Sequence, residues 1–250
     1  MTSADIFARP IAHRGLHDRA AGIIENSRSA FAAAIDRGFG IECDLQVSSD
    51  GDPVVFHDAT LERLTGREGR VIDTKTEDLC ATPLLESTAG DTPLRFPDLL
   101  DGVAGQVPLI VEIKQQNYPD ETRHLTQQAL KAVAGYEGPL VFKSFDPLAL
   151  NVLHKAGYRG GKGIITFDYQ NHADHLGGAQ KFILRNTLHR AISHFTFISC
   201  EHTALSNPVV RLRRAMGMKV MSWTVRSAAQ AQEALRHADQ IVFEGFDPEA

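Results

Sequence analysis

Four short apolar runs in the first half of this chain each end in charge: Pro10-Ile11-Ala12 in His13-Arg14-Gly15, Gly40-Ile41 in Glu42 and Asp44, Pro53-Val54-Val55-Phe56 in His57-Asp58, and Leu109-Ile110-Val111 in Glu112 and Lys114. Such runs read as buried strands. Charge at the tip of a buried strand is costly unless it is paired or binds something. The pattern therefore calls for a fold that brings several strand tips to one place.

The rest of the chain supplies the other walls of such a fold. Strand-like runs at 109–114, 140–144, 163–166, 195–200, 219–225 and 240–244 alternate with helical stretches at about 119–134, 147–156, 179–193, 208–216 and 228–237. Alternation of this kind marks a parallel sheet with helical crossovers. With the strands ending at Arg14 and Asp44 there are eight parallel candidates, the number that closes a TIM-type (β/α)8 barrel. An Ala-rich helix from Ser29 is capped by Asn26 or Ser27 and stopped at Gly38. The strand at 41–47 returns through Asp50-Gly51 as 53–57, a hairpin signal. A two-residue turn would set Asp44 opposite His57. The segment at about 65–95, rich in Gly, Thr, Asp and Glu, is long for a plain connection and reads as a small insertion over the barrel mouth. The expectation is a single barrel domain over 1–250.

Composition narrows the partners. A formal charge of −5 on 250 residues, with no dense basic stripe, argues against a general nucleic-acid binder, and Arg211-Leu212-Arg213-Arg214 reads as a solvated helix face. Cys43, Cys80 and Cys200 show no disulfide or zinc spacing. Neither a secretory start nor a run of membrane-spanning length is visible, so a cytoplasmic protein without a membrane span is expected. Oligomeric state is left open.

Side chains two apart on a strand share a face, so Glu42 and Asp44 point together, as do Glu112 and Lys114. Three carboxylates from two strands are hard oxygen ligands suited to Mg²⁺ or Ca²⁺, although each alone could equally be paired with a nearby Lys or Arg. His13 and His57 beside them could divide the work of base and acid, and Arg14 and Lys114 could stabilise developing charge on a phosphate ester. Read singly, either histidine could be an ordinary core residue.

At these residues the sequence resembles the glycerophosphodiester phosphodiesterase family. The resemblance runs through His13-Arg14-Gly15, Glu25-Asn26-Ser27, Glu42-x-Asp44, Asp50-Gly51, Val54-Val55-x-His57-Asp58, Leu61-x-Arg63-x-Thr65, Glu112-Ile113-Lys114, Ser144-Phe145 and Trp223-Thr224-Val225, in family order. It implies a divalent ion on Glu42, Asp44 and Glu112, His13 and His57 as the acid–base pair, and Trp223 as a pocket wall against the substrate glycerol. It also implies hydrolysis of a small-molecule glycerophosphodiester to glycerol 3-phosphate and an alcohol. Arg226 and Glu244 depart from the family pattern near the mouth, as a rim pair or a head-group contact. Two other readings stand beside this one: a phospholipase D-like or lysophospholipid-cleaving relative, and a catalytically silent ligand-binding barrel.

Overall fold

The computed structural model describes residues 5–169, 173 and 176–250. Ten strands form one sheet: β1 (Ile11–Ala12), β2 (Gly40–Val47), β3 (Pro53–Val55), β4 (Leu94–Arg95), β5 (Leu109–Ile113), β6 (Leu140–Ser144), β7 (Lys162–Thr166), β8 (Phe197–Glu201), β9 (Lys219–Val225) and β10 (Gln240–Phe243). Eight of them run parallel and close a barrel, β1 pairing with β10 on one side and with β2 on the other. β3 adds antiparallel to β2, and β4 antiparallel to β3. The expected (β/α)8 barrel is present.

Local signals explain most helices of the outer ring. Ser27 Oγ accepts from the Ala30 N–H and opens Arg28–Asp36, and Gly38, at φ 66°, ends it. Asp146, Asn207 and Ser227 do the same for Pro147–Lys155, Pro208–Ala215 and Ala228–His237. One expected helix, 179–193, is instead two, Gly178–Arg185 and Arg190–Ser193. Between them Thr187 adopts φ 52°, held by Arg213, which donates to its hydroxyl at 2.7 Å and its carbonyl at 3.2 Å. Tertiary hydrogen bonds override the helical pattern there. The helix Phe96–Val103 is one the sequence reading passed over. Its buried Phe96, Leu99, Leu100 and Val103 follow helical spacing, and Pro97 sits in its first turn.

The hairpin differs from expectation by one residue. Leu45 pairs with Val55 and Val47 with Pro53, so Phe56, not His57, lies opposite Asp44. The loop has three residues, Ser49 to Gly51, with Gly51 at φ 87°. Ser49 N–H donates to Thr74 O at 2.9 Å, and Asp50 Oδ2 accepts from Thr76 N–H at 2.9 Å, which draws both residues out of the ladder. The insertion between β3 and β4 carries short helices at Glu62–Thr65 and Thr76–Cys80. Ile24, Val54, Phe56, Leu61, Leu64, Val71, Leu79 and Leu84 give it an apolar cluster of its own.

Inside the barrel the alternation of side chains produces a sharp change of polarity. Ile11, Ile110, Val141, Phe197, Met221 and Val242 fill the lower interior, apart from the larger cluster between sheet and helices. Two residues further along the same faces stand His13, Glu112, Lys143, Ser199, Trp223 and Glu244. The apolar layer is thus a floor, and the charged layer above it faces the mouth at the C-terminal ends of the strands.

The turn that ends β1 is tightly constrained. Gly15 sits at φ 80°, and a Cβ there would lie 2.8 Å from both the Ala30 carbonyl carbon and its Cβ. Gly15→Ala should therefore cost about 2 kcal/mol or more, read as a lower urea midpoint; a loss within error of zero would show that the turn relaxes freely.

Candidate active site

Three carboxylates from two adjacent strands converge above the floor. Glu42 and Asp44 on β2 lie beside Glu112 on β5, with Asp44 in register with Glu112, and one oxygen from each falls within 4.8 Å of the others. All three side chains are buried, and three cations stand against them, Lys143 buried and Lys114 and Arg14 half-buried. Lys143 Nζ is 2.8 Å from Glu42 Oε1 and 3.5 Å from Glu112 Oε2. Lys114 Nζ is 2.6 Å from Glu112 Oε1 and 2.8 Å from Asp44 Oδ1, and Arg14 Nε is 3.5 Å from Asp44 Oδ2. The backbone contributes as well: Arg14, at φ 56°, donates its N–H to Glu42 Oε2 at 3.1 Å, and Asn26, at φ 54°, donates its side-chain N–H to Asp44 Oδ2 at 2.9 Å.

Burial alone would raise the Glu42 and Asp44 carboxyls, but Lys143 beside the first and Lys114 beside the second hold both below the usual carboxylate range. Burial would likewise lower Lys114 and Lys143, and the facing carboxylates keep both above the ordinary lysine value. Even so, Glu42 Oε1 and Asp44 Oδ1 each meet a single ammonium, at 2.8 Å, and no other donor among the described residues, which leaves a lone pair open on each. Ionised, clustered and incompletely satisfied oxygens are a set that a hard divalent cation fits.

Each histidine is held by a carboxylate through Nδ1. His13 Nδ1 is 2.5 Å from Glu244 Oε2, and Glu244 is held in turn by Arg226 at 2.7 Å. Burial would raise Glu244, but the hydrogen bonds from His13 and His17 and the Arg226 charge bring it well down. His57 Nδ1 is 2.7 Å from Asp58 Oδ1, Asp58 pairs with Arg63, and Arg63 and Arg14 both grip Glu25, each at 2.7 Å. With Nδ1 engaged on a carboxylate, each neutral ring carries its lone pair on Nε2. His13 Nε2 lies 4.0 Å from Glu42 Oε2. Both rings line a cleft of about 270 Å³ with Arg14, Glu112, Lys114 and Lys143. Phe145, Ile165 and Trp223 form its apolar wall, Trp223 meeting Phe145 edge-on at 5.7 Å and donating from Nε1 to Ser199 O at 3.0 Å.

The structure thus brings together His13, Arg14, Glu42, Asp44, His57, Glu112, Lys114 and Trp223, all singled out by sequence. Arg226 and Glu244 form the rim pair, with Glu244 reaching inward to His13. His57 keeps its place near Asp44 despite the shifted hairpin, because β3 has ended at Val55 and the chain turns there; its charge still helps to lower Asp44. Sequence reading missed Lys143 and Glu201, which also line the cleft. Both close buried strands, β6 and β8, so the strand-tip signal was present at each.

Comparison with known proteins bears on the fold and the family. The model of the glycerophosphoryl diester phosphodiesterase family matches residues 13–242. The glycerophosphodiester phosphodiesterase of Caldanaerobacter subterraneus subsp. tengcongensis is 31% identical over 158 residues, 58% of this chain and 61% of that one. The match therefore spans less than two thirds of that relative. A phosphodiesterase of Oleispira antarctica, solved in complex with the product sn-glycerol-3-phosphate, superposes with a TM-score of 0.77 at 18% identity, over 96% of this chain and 93% of that one. The glycerophosphodiester phosphodiesterase of Thermotoga maritima gives a TM-score of 0.68 at 23% identity, over 93% and 92%.

The arginine grip on Glu25 has a measurable signature. Burial opposes ionisation of this carboxyl, yet Arg63 and Arg14 bring it from an ordinary 4.5 to about 2. A depressed carboxylate contributes its stability in full above its unfolded value and loses it as pH falls through the folded one. Glu25→Gln should cost about 1–3 kcal/mol at neutral pH and flatten the acid limb of stability between about pH 5 and 2. Denaturant melts across that range decide it: an acid limb as steep as the parent's would mean that the pairing does not hold.

Proposed function

The chain belongs to the glycerophosphoryl diester phosphodiesterase family, and on that premise we propose that it hydrolyses a glycerophosphodiester to glycerol 3-phosphate and an alcohol. One observation carries the reading: two histidine–carboxylate pairs face a buried tricarboxylate cluster across a single cleft. A binding module needs neither pair, whereas hydrolysis of a diester uses a base and an acid, roles that two imidazoles can divide. The product seen with the Oleispira antarctica phosphodiesterase supports the substrate class.

Glu42, Asp44 and Glu112 would hold one divalent cation, Mg²⁺ or Ca²⁺ by the hardness of the donors. When bound, that ion withdraws charge from a non-bridging phosphate oxygen. The chain's own residues do the rest. Glu244 and Asp58 fix the tautomers and orientations of His13 and His57, so that each presents Nε2 to the cleft. One imidazole, neutral, takes the proton of the attacking water on Nε2 as the water oxygen bonds to phosphorus; the other, starting protonated on Nε2, gives that proton to the alcohol oxygen as the P–O bond breaks. Arg14 and Lys114 stay charged throughout and balance the negative charge that gathers on the phosphoryl oxygens. Trp223 and Phe145 supply the apolar wall on which the glycerol carbons rest. Barrel and insertion act as one unit, because the carboxylates come from β2 and β5 and His57 follows directly on β3.

Glu112→Gln keeps the shape of the ligand and removes its charge. Mg²⁺ or Ca²⁺ affinity by calorimetry should fall about tenfold or more together with turnover; unchanged affinity would remove Glu112 from the ligand set.

His13→Ala and His57→Ala should each lower turnover on glycerophosphodiesters by about 10²–10⁴-fold, with melting temperatures close to that of the parent. Near-normal turnover in either variant would make that histidine structural. Assays of glycerol 3-phosphate formation over glycerophosphocholine, glycerophosphoethanolamine and glycerophosphoglycerol test the activity itself and rank the head groups.

A further inference from the structure

A barrel lays its chain out in order around the wall, so a charge imbalance along the sequence becomes an imbalance between sides. Residues 147–232 hold eleven Lys and Arg against three Asp and Glu, a net of +8, whereas the other residues, with fifteen against 28, stand at −13. They build the side from the helix Pro147–Lys155 round to Ala228–His237. The same side carries most of the exposed apolar bulk. Of nine large hydrophobic side chains exposed among the described residues, six lie here: Phe182, Ile183, Leu188, Ile192, Leu212 and Met216.

These residues belong to one surface, because the helix Pro208–Ala215 is tied to the neighbouring turn. Arg213 holds Thr187, and Asn207 donates to Arg185 O at 3.2 Å. Arg213 is engaged in that tie and Arg214 on Asp239. Arg185, Arg190 and Arg211 have no carboxylate partner among the described residues.

We propose that this side of the barrel docks on an anionic lipid surface, with Phe182, Leu188 and Ile192 entering the headgroup layer and Arg185, Arg190 and Arg211 lying against lipid phosphates. The two properties of the surface select that occupant together. A nucleic acid would neutralise the cations but leave Phe182, 62% exposed, and Met216, 72% exposed, facing water. A second copy across a two-fold axis would cover the apolar groups but set like charge against like. An anionic bilayer answers both, as it does for interfacial helices with basic and apolar residues interleaved. Among the described residues no helix is long and apolar enough to cross a membrane, so the contact is one of surface with surface.

The test is co-sedimentation of the full chain with vesicles of phosphatidylglycerol in phosphatidylcholine, and with phosphatidylcholine alone, at low and high salt. Binding should occur on the anionic vesicles, weaken in high salt, and fall at least about tenfold in the double variants Phe182→Ser with Ile192→Ser and Arg185→Glu with Arg211→Glu. Hydrolysis of a soluble glycerophosphodiester should be unchanged in both, so loss of docking and loss of activity are read separately. If the serine pair fails to fold, Phe182→Trp decides instead, its emission shifting to the blue on anionic vesicles. Absence of binding, equal binding to both vesicle types, no blue shift, displacement by duplex DNA, or a dimer dissolved by the serine pair would each overturn the proposal.

Discussion

Three carboxylates can sit inside a barrel of apolar strands only because three cations go in with them. Removing an ion from water costs several kcal/mol even after relaxation, and breaking one buried pair typically costs about 3–5 kcal/mol because a charge is left stranded. Glu42, Asp44 and Glu112 are set against Lys143, Lys114 and Arg14, so the inner cluster is balanced as it stands. The balance also fixes what can enter. A divalent cation added to a neutral cluster leaves net positive charge, and a phosphodiester is an anion that meets it. Lys143, buried among carboxylates and with its proton held firmly, is as necessary to this arrangement as the ligands themselves.

Much of this was legible because one rule, alternation of side chains along a strand, applies equally to floor and site. Residues two apart on β2 and on β5 pointed to one face, and the barrel count followed from the alternation of strands and helices. Lys143 and Glu201 escaped since each is the only charge closing its strand, where a lone residue reads most simply as a surface exit. The hairpin register and the break at Thr187 were beyond local reading for a shared reason. Thr74, Thr76 and Arg213 decide them, and those residues are respectively about 25, 26 and 26 positions away in sequence. The helix Phe96–Val103, by contrast, had a clear periodic signal that the Gly- and Thr-rich stretch before it obscured.

The two histidine settings are built by different means. Glu244 comes from the last strand of the barrel and reaches His13 at the end of the first, so the seam where the barrel closes also orients a ring. Asp58 follows His57 directly, and its place depends on Arg63 and through it on Glu25. One pair is secured by barrel closure and the other by a surface-connected arginine network, which makes the second more responsive to ionic strength.

The brevity of β1 sorts changes of chain length into harmless and harmful. β1 meets β2 through only two residues, and the remaining edge of β2 is free for β3. Segments hung beyond β3 can lengthen or shorten at modest entropic cost, because their own apolar cluster absorbs the change. A single residue gained or lost between Val47 and Pro53 is another matter. Where it slips the pairing it turns every side chain of β3 to the opposite face and carries His57 out of the cleft, so an indel of the smallest size, in a loop that lines no part of the cleft, would disable the site as surely as deleting the imidazole.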